Sequence, residues 1–130
     1  MTNPDVSYPL DDDTPTSHLP FSPCVVVGDL IFVSGQASVD KQGKIIPGDI
    51  EQEVRRSIAN IQAVLKTAGA DLSHVVQTRN YVRLDEDLAK YNEIYCELFP
   101  DPKPARTTIT RCLTDALRYE IECIAVRPKR

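Results

Sequence analysis

The residues best suited to chemistry are one arginine and two glutamates near the C-terminus of this 130-residue chain. From Tyr119 to Val126 the side chains alternate as in a strand, so Glu120 and Glu122 share a face with isoleucine and valine. Burying an unpaired carboxylate is costly, so a cationic partner is expected. Arg106 is the nearest candidate, because a guanidinium binds a carboxylate through two parallel hydrogen bonds. On spacing alone, a structural ion pair is a commoner explanation than catalysis.

The composition indicates one soluble domain. The chain is long enough to bury a core and too short for two domains, and its hydrophobic content of 42% is ordinary for a globular protein. No apolar run approaches the ~20 residues that cross a bilayer, and the N-terminus does not resemble a signal peptide. A net charge of −4 argues against nucleic-acid binding. We expect a cytoplasmic protein without membrane or nucleic-acid partners.

The cysteines show no sign of a metal or redox site. The chain has four, Cys24, Cys96, Cys112 and Cys123, and no two have the close spacing of zinc ligands. We interpret all of them as small apolar core residues with free thiols, which fits a reducing compartment.

The predicted elements are an acidic lead, five strands and two helices. Residues 1–18 contain scattered prolines and three consecutive aspartates without an apolar period, so we expect an irregular lead before a single domain at residues 19–130. Asp49 and Gln52 form a capping box for a first helix that ends at Gly69. A second helix is expected at residues 86–98, with Asp85 as its cap. The strands are predicted at residues 24–27, 30–33, 75–84, 105–110 and 119–126.

The apolar residues of the first two strands predict an oligomer. Both are apolar at nearly every position, which predicts that the hairpin is covered on both faces. Two helices can cover only one face of such a sheet. We therefore expect another subunit on the second face, with the site between chains. Directly after the hairpin, Gly35 would let the backbone approach another group closely.

Several separated motifs give the chain a family resemblance. They are SGQ at residues 34–36, Asn60, Asn92, PARTT at residues 104–108 and EIE at residues 120–122. In this order they resemble the Rid (reactive intermediate deaminase, YjgF) family over residues 20–126. The resemblance implies an α+β, chorismate-mutase-like fold, in which a mixed β-sheet carries two helices on one face. It also implies a homotrimer with the sheets packed inward and sites at the subunit interfaces.

The resemblance further implies an activity. Rid proteins of this kind hydrolyse reactive 2-enamino and 2-imino acids, such as 2-aminoacrylate and 2-iminopropanoate, to a 2-oxo acid and ammonia. They act in metabolite damage control as 2-iminobutanoate/2-iminopropanoate deaminases and use no metal or organic cofactor.

Roles follow from the matching positions. Arg106 would hold the substrate carboxylate, and Glu120 would activate water and manage protons on the leaving nitrogen. Glu122 would raise the proton affinity of Glu120 or form a structural pair, and we favour the structural role. The remaining pocket positions implied by the resemblance are Ser34, Gly35, Asn92 and Thr108.

Two departures from the family pattern bear on the substrate. The tyrosine that many members carry before the first strand falls on Phe21, which could wall the pocket but has no hydroxyl. The link from Arg106 to Leu113 is one residue shorter than usual, and Thr114 stands where a proline is common. The substrate range is therefore left open.

Three other functions are weighed against this one. A Rid-fold deaminase of another enamine, such as 2-aminomuconate, would favour a larger and more cationic pocket. A non-catalytic regulatory trimer that binds 2-oxo acids would use Arg106 without depending on Glu120. Some similar proteins are described as ribonucleases or translation inhibitors. The net negative charge of the chain disfavours a function that requires RNA binding, and His18 and His74 form no evident acid–base pair for RNA cleavage.

Overall fold

A computed structural model describes residues 5–128, which form one mixed sheet and two helices. The strands are β1 (Val6–Ser7), β2 (Cys24–Val27), β3 (Leu30–Ala37), β4 (Val75–Val82), β5 (Ala105–Thr110) and β6 (Tyr119–Val126). The helices are α1 (Ile50–Thr67) and α2 (Leu88–Leu98). The sheet order is β1-β2-β3-β6-β4-β5, in which β4 and β5 run parallel and the other neighbours are antiparallel. The predicted α+β class is confirmed.

Helix α1 begins and ends as its sequence predicts. The Asp49 side chain accepts the backbone N–H of Gln52, and the Gln52 side chain accepts the backbone N–H of Asp49. These reciprocal bonds satisfy two of the donors that a helix N-terminus leaves free. Beyond the C-terminus Gly69 has φ +77°, a left-handed conformation that suits glycine.

The start of α2 differs from the prediction. Residues Asp85–Asp87 form a 3-10 turn, and the α-helix begins only at Leu88. Asp85 does not cap the helix, because its carboxylate accepts a hydrogen bond from Arg111. The Asp85 carboxylate therefore forms a charge-assisted hydrogen bond with a residue of a distant segment instead of capping the neighbouring helix.

The core lies between the two helices and one face of the sheet. On β6 the predicted alternation is confirmed, since Tyr119, Ile121, Cys123 and Ala125 are buried. The opposite, open face of the sheet has no covering element among residues 5–128 and leaves large apolar side chains in solvent. These include Leu30, Phe32, Ile109 and Val126.

The acidic lead is more ordered than predicted. Within it β1 pairs with β2, and Thr14 is buried. Without β1, strand β2 would present unpaired backbone groups at the sheet edge, and the lead covers them. The pattern was too short to be read from the sequence, and the first four residues of the predicted lead lie outside the described part of the chain.

The cysteine interpretation is correct for two residues and wrong for two. Cys24 and Cys123 are buried, whereas Cys96 and Cys112 are exposed, on the outer side of α2 and in the loop after β5. All four thiols are free.

Within residues 5–128, neither helix combines the length and the apolar character needed to cross a membrane.

Candidate functional site

Glu120 lies against Gly35 on the open face of the sheet. The pairing of β3 with β6 shifts register between Val33 and Gln36, at the motif that was expected to follow the strand and instead lies inside it. A Cβ atom added to Gly35 would lie 2.8 Å from Oε2 of Glu120. The close approach predicted at Gly35 is therefore confirmed, and the approaching group is the glutamate carboxylate.

The environment of Glu120 favours its protonated form. Burial of the carboxyl group raises its pKa, and the negative charge of neighbouring Glu122 raises that pKa further. A carboxyl group with a raised pKa can accept and return a proton closer to neutral pH than an ordinary glutamate can.

Glu122 has partners of its own, and Arg106 is not among them. The Tyr81 hydroxyl donates a hydrogen bond to Glu122, and the Arg79 guanidinium lies 3.9 Å from its carboxylate. The hydrogen bond to Glu122 raises the pKa of Tyr81 to about 12. The predicted pairing of Arg106 with these glutamates is wrong within one chain, because cross-strand neighbours on β4 are closer.

A cavity of about 470 Å³ opens beside Glu120. Phe21, Ser34 and Gly35 line it together with the glutamate, so four of the predicted site residues meet there. The Ser34 hydroxyl donates to the Ser22 carbonyl, and its backbone N–H donates to the Pro23 carbonyl at 2.9 Å. Ser34 thus holds the segment that carries Phe21 in place, in addition to lining the cavity.

Arg106 belongs to a second group of side chains around α2. Its Nη1 atom donates to Oδ1 of Asn92 at 2.7 Å. The guanidinium carbon lies 5.2 Å from the Tyr91 ring centroid and 5.0 Å from that of Tyr95, within the range of cation–π attraction. The Tyr91 hydroxyl and the Thr108 hydroxyl are hydrogen-bonded at 2.8 Å. Arg106, Asn92 and Thr108 are therefore brought together, on an exposed sheet edge.

The two groups lie on opposite faces of the sheet. In register, Arg106 is opposite Thr78, a buried residue of the helix-covered face. Glu120 is opposite Tyr81, three positions further along β4, on the open face. Strand β4 separates the two residues, and neighbouring strands lie about 4.8 Å apart. A substrate of a few carbons cannot touch both groups in the same chain.

Comparison with known proteins decides the family. The family model described as Endoribonuclease L-PSP matches residues 12–127. This chain belongs to the Rid (YjgF) family. It is 42% identical to a RutC family protein of Pyrococcus abyssi, over 83% of this chain and 87% of that protein. It is 36% identical to the 2-iminobutanoate/2-iminopropanoate deaminase of Mus musculus, over 83% of this chain and 82% of that protein.

The Rid fold is also shared with solved structures. The crystal structure of Escherichia coli TdcF with bound serine superposes with a TM-score of 0.85 at 28% identity, covering 94% of this chain and 99% of that one. Other matched relatives carry mitochondrial or chloroplastic names, so they do not confirm the predicted cytoplasmic location.

The Rid chain holds a buried polar network that the sequence analysis did not detect. The Tyr119 hydroxyl donates to Asn80, whose Nδ2 atom donates to the Thr78 hydroxyl at 3.0 Å. The Thr78 and Tyr95 hydroxyls are hydrogen-bonded at 2.7 Å. Burial raises the pKa of Tyr119 and of Tyr95, so both hydroxyls stay protonated. The sequence alone does not connect these tyrosines with Asn80 and Thr78, because the strand register is needed to bring the four side chains together.

Phe21 stands where many Rid proteins have a tyrosine, and the structure shows what this residue contributes to the cavity. The ring is 49% exposed and forms part of the cavity wall, where it offers apolar surface and no hydrogen-bond donor.

Among residues 5–128, no cluster of three or more histidine, cysteine, aspartate or glutamate side chains is arranged to hold a metal ion.

Proposed function

We propose that this Rid chain is a hydrolytic deaminase of reactive 2-enamino and 2-imino acids, the class that includes 2-aminoacrylate and 2-iminopropanoate. The observation that carries the proposal is the Glu120 carboxylate, which is half-buried with a raised pKa against Gly35 at the end of an apolar cavity. The family and the deaminase names of its relatives support the same chemistry.

The reaction requires only water and a proton carrier. A water oxygen bonds to the imine carbon while Glu120 accepts a water proton. Glu120 then returns this proton to the nitrogen of the tetrahedral carbinolamine, the carbon–nitrogen bond breaks, and the hydroxyl proton passes to the departing ammonia as the carbonyl forms, so that a protonated imine and water give a 2-oxo acid and ammonium. An iminium carbon is already electrophilic, so placement of the water and one acid–base group suffice.

Arg106 would supply the carboxylate-binding half of the site from a neighbouring copy. Because Arg106 and Glu120 occupy opposite faces of one sheet, a substrate that touches both must lie between chains. The apolar open face supports assembly, since exposed leucine, phenylalanine, isoleucine and valine side chains gain from burial. We propose a homotrimer with the sheets packed inward, in which each site combines Glu120 of one copy with Arg106 of the next.

The cavity disfavours one of the alternatives. The wall that one chain contributes has no arginine or lysine among its described residues, so Arg106 of the neighbouring copy would be the cation available to a carboxylate or phosphate, and a second carboxylate of 2-aminomuconate would have no cation from this wall. The regulatory alternative, a trimer that binds 2-oxo acids without catalysis, differs in one respect only, because it does not need the ionisable group of Glu120.

The deciding assay generates 2-aminoacrylate in situ from serine with a pyridoxal-phosphate lyase and follows pyruvate release. The wild-type chain should accelerate release, and Glu120→Gln should lower turnover by about 10²–10⁴-fold, the usual contribution of general acid–base catalysis. Glu122→Gln is the matched control on the same strand and should cause a much smaller loss. If 2-oxo acids bind but no variant, including wild type, accelerates release, the regulatory function replaces the enzymatic one.

A further inference from the structure

A fully buried asparagine lies on β4, beside the strand that carries Arg106. Asn80 has no solvent exposure and shares the helix-covered face of β4 with Thr78. Asparagine is depleted in strands, and a buried amide is costly unless its polar atoms are hydrogen-bonded. A leucine has a similar shape and would fill the same position without that cost. The hydrogen bonds that Asn80 forms therefore indicate its role.

The Asn80 amide connects three neighbouring strands. Its Oδ1 atom accepts a hydrogen bond from the Tyr119 hydroxyl of β6. Its Nδ2 atom donates to the Thr78 hydroxyl at 3.0 Å and to the Thr107 carbonyl of β5 at 3.4 Å. Strand β5 is at the edge of the sheet, so β4 is its only neighbour among the described strands. The bond to Thr107 therefore fixes the backbone directly next to Arg106.

The same network also holds the two aromatic rings that contact the guanidinium. The Thr78 hydroxyl is hydrogen-bonded to the Tyr95 hydroxyl at 2.7 Å, and the Tyr119 ring packs on the Tyr91 ring with centroids 5.4 Å apart. Tyr91 and Tyr95 are the rings over which the Arg106 guanidinium lies. All of these contacts are formed inside one chain, so they do not depend on a neighbouring copy.

We propose that Asn80 is a positioning residue for Arg106, because its amide holds β5 and the two tyrosine rings so that the guanidinium presents two parallel N–H groups to the substrate carboxylate. The inference rests on the proposed function, in which Arg106 binds that carboxylate. Asn80 itself does not touch the substrate. Without the amide the guanidinium keeps its charge and loses its fixed direction, so one of the two parallel hydrogen bonds is lost.

The main test replaces Asn80 with leucine, which has no side-chain hydrogen-bonding atoms. The Kd of pyruvate, measured by calorimetry, and the KM of an imino acid should both rise about tenfold, the value of one hydrogen bond to a charged group. The loss should appear mainly in KM, since the carboxylate does not react and is bound equally in the ground and transition states. A loss confined to kcat would overturn the inference.

A second measurement removes the fork that Asn80 is proposed to aim. Arg106→Lys keeps the positive charge, but an ammonium does not form the planar two-armed pair of a guanidinium. In this background Asn80→Leu should leave the Kd of pyruvate nearly unchanged. A further tenfold loss in the Arg106→Lys background would assign the effect of Asn80 to the core and overturn the positioning role.

The position of the guanidinium can also be followed by NMR. The Nε–H signal of Arg106 should be displaced by the ring currents of the two tyrosines, and Arg106→Lys assigns this signal by removing it. In Asn80→Leu the signal should move toward that of an exposed arginine. A signal at the wild-type position would show that the guanidinium has not moved, which would overturn the inference.

Two further variants separate positioning from stability. Tyr119→Phe keeps the ring and breaks only one of the bonds to Asn80, so it should fold even if Asn80→Leu does not, and should shift the Arg106 signal in the same direction. Val26→Ala is the control, since it opens a cavity in the core at β2, which β3 and β6 separate from β4. It should lower Tm and leave the Kd of pyruvate unchanged. A rise in Kd equal to that of Asn80→Leu would overturn the assignment.

Binding and turnover together distinguish this inference from the proposed function. If Asn80→Leu weakens pyruvate binding while the wild type accelerates no imine hydrolysis, the positioning role is upheld and the deaminase function fails. If the wild type is a deaminase and Asn80→Leu binds pyruvate as tightly as the wild type does, the positioning role fails and the deaminase function stands.

Discussion

The Gly35 Cα and the Glu120 carboxylate are so close that the smallest side chain would not fit between them. An added Cβ would lie 2.8 Å from Oε2 and 3.2 Å from Cδ of Glu120. The atom it would meet is the far end of a flexible side chain, so the fold can accommodate an alanine by moving the glutamate. Glycine at this position therefore serves the placement of the carboxylate more than the stability of the strand.

Gly35→Ala should fold normally and lose activity. The Glu120 carboxylate must shift, and a displacement of about 1 Å at a reacting group can cost on the order of 10²-fold in rate. Stability should change little, because alanine is favoured over glycine in a strand by about 0.5–1 kcal/mol, which offsets the contact. Activity and thermal unfolding measured on one sample separate the two effects.

The matched control for this substitution is Gly48→Ala. There an added Cβ would lie 2.7 Å from Oε1 of Gln52, in the cap of α1 and outside the cavity beside Glu120. This variant should lose stability through the cap and keep its kcat. Normal kcat in Gly35→Ala would contradict the role given to the glycine.

The tyrosine rings beneath Arg106 should affect substrate binding more than turnover. Tyr95→Leu removes one ring and should raise KM for an imino acid by about 2–5-fold, the value of an exposed cation–π contact of about 0.5–1 kcal/mol. Tyr95→Phe keeps the ring, loses the hydrogen bond to Thr78 and should stay closer to wild-type KM. Phe99→Leu is the control, since Phe99 stacks on Tyr95 and is not among the rings beneath Arg106. A rise in KM for Phe99→Leu equal to that for Tyr95→Leu would assign the effect to core packing.

The pH profile of kcat/KM should reflect the shifted pKa of Glu120. If the ionised carboxylate activates water, the rate rises with pH through that pKa, which burial and Glu122 hold above the ordinary glutamate value. Glu122→Gln should move the midpoint to lower pH without reaching the ordinary value, because burial is the larger cause. A midpoint at or below the ordinary value in the wild type would exclude Glu120 as this base.

The same pKa shift predicts how Glu120 affects folding. Its folded-state pKa is raised, so the penalty for burying the ionised form is absent below the unfolded pKa and fully present above the folded one. Glu120→Gln should therefore raise Tm at neutral pH, and the difference from wild type should disappear below about pH 4. An equal Tm difference at both pH values would show that the substitution acts through packing alone.

Periodicity and capping patterns were sufficient to predict most of the fold. The capping box of Asp49 and Gln52 set the start of α1, and alternation along β6 placed Glu120 and Glu122 opposite the core. The pairing of Arg106 with the glutamates could not be judged in the same way. Strand order decides it, because β4 lies between β5 and β6, and the sequence of a single strand contains no information about its neighbours.

Predictions from local sequence patterns were also wrong where a residue or strand distant in the sequence forms the deciding contact. Asp85 stands at a position typical of a helix cap, yet its carboxylate accepts a hydrogen bond from Arg111, which is distant in the sequence. The lead looked irregular, yet β1 is short enough to escape detection by pattern and still pairs with β2.

The most direct test of the account is subunit complementation. Arg106→Ala and Glu120→Gln should each be nearly inactive alone. If each site takes Arg106 from one copy and Glu120 from another, unfolding and refolding an equal mixture should restore about a quarter of the wild-type sites, because random assembly places two intact partners together at that frequency. A mixture as inactive as its components, with both variants folded and assembled, would contradict a site shared between chains.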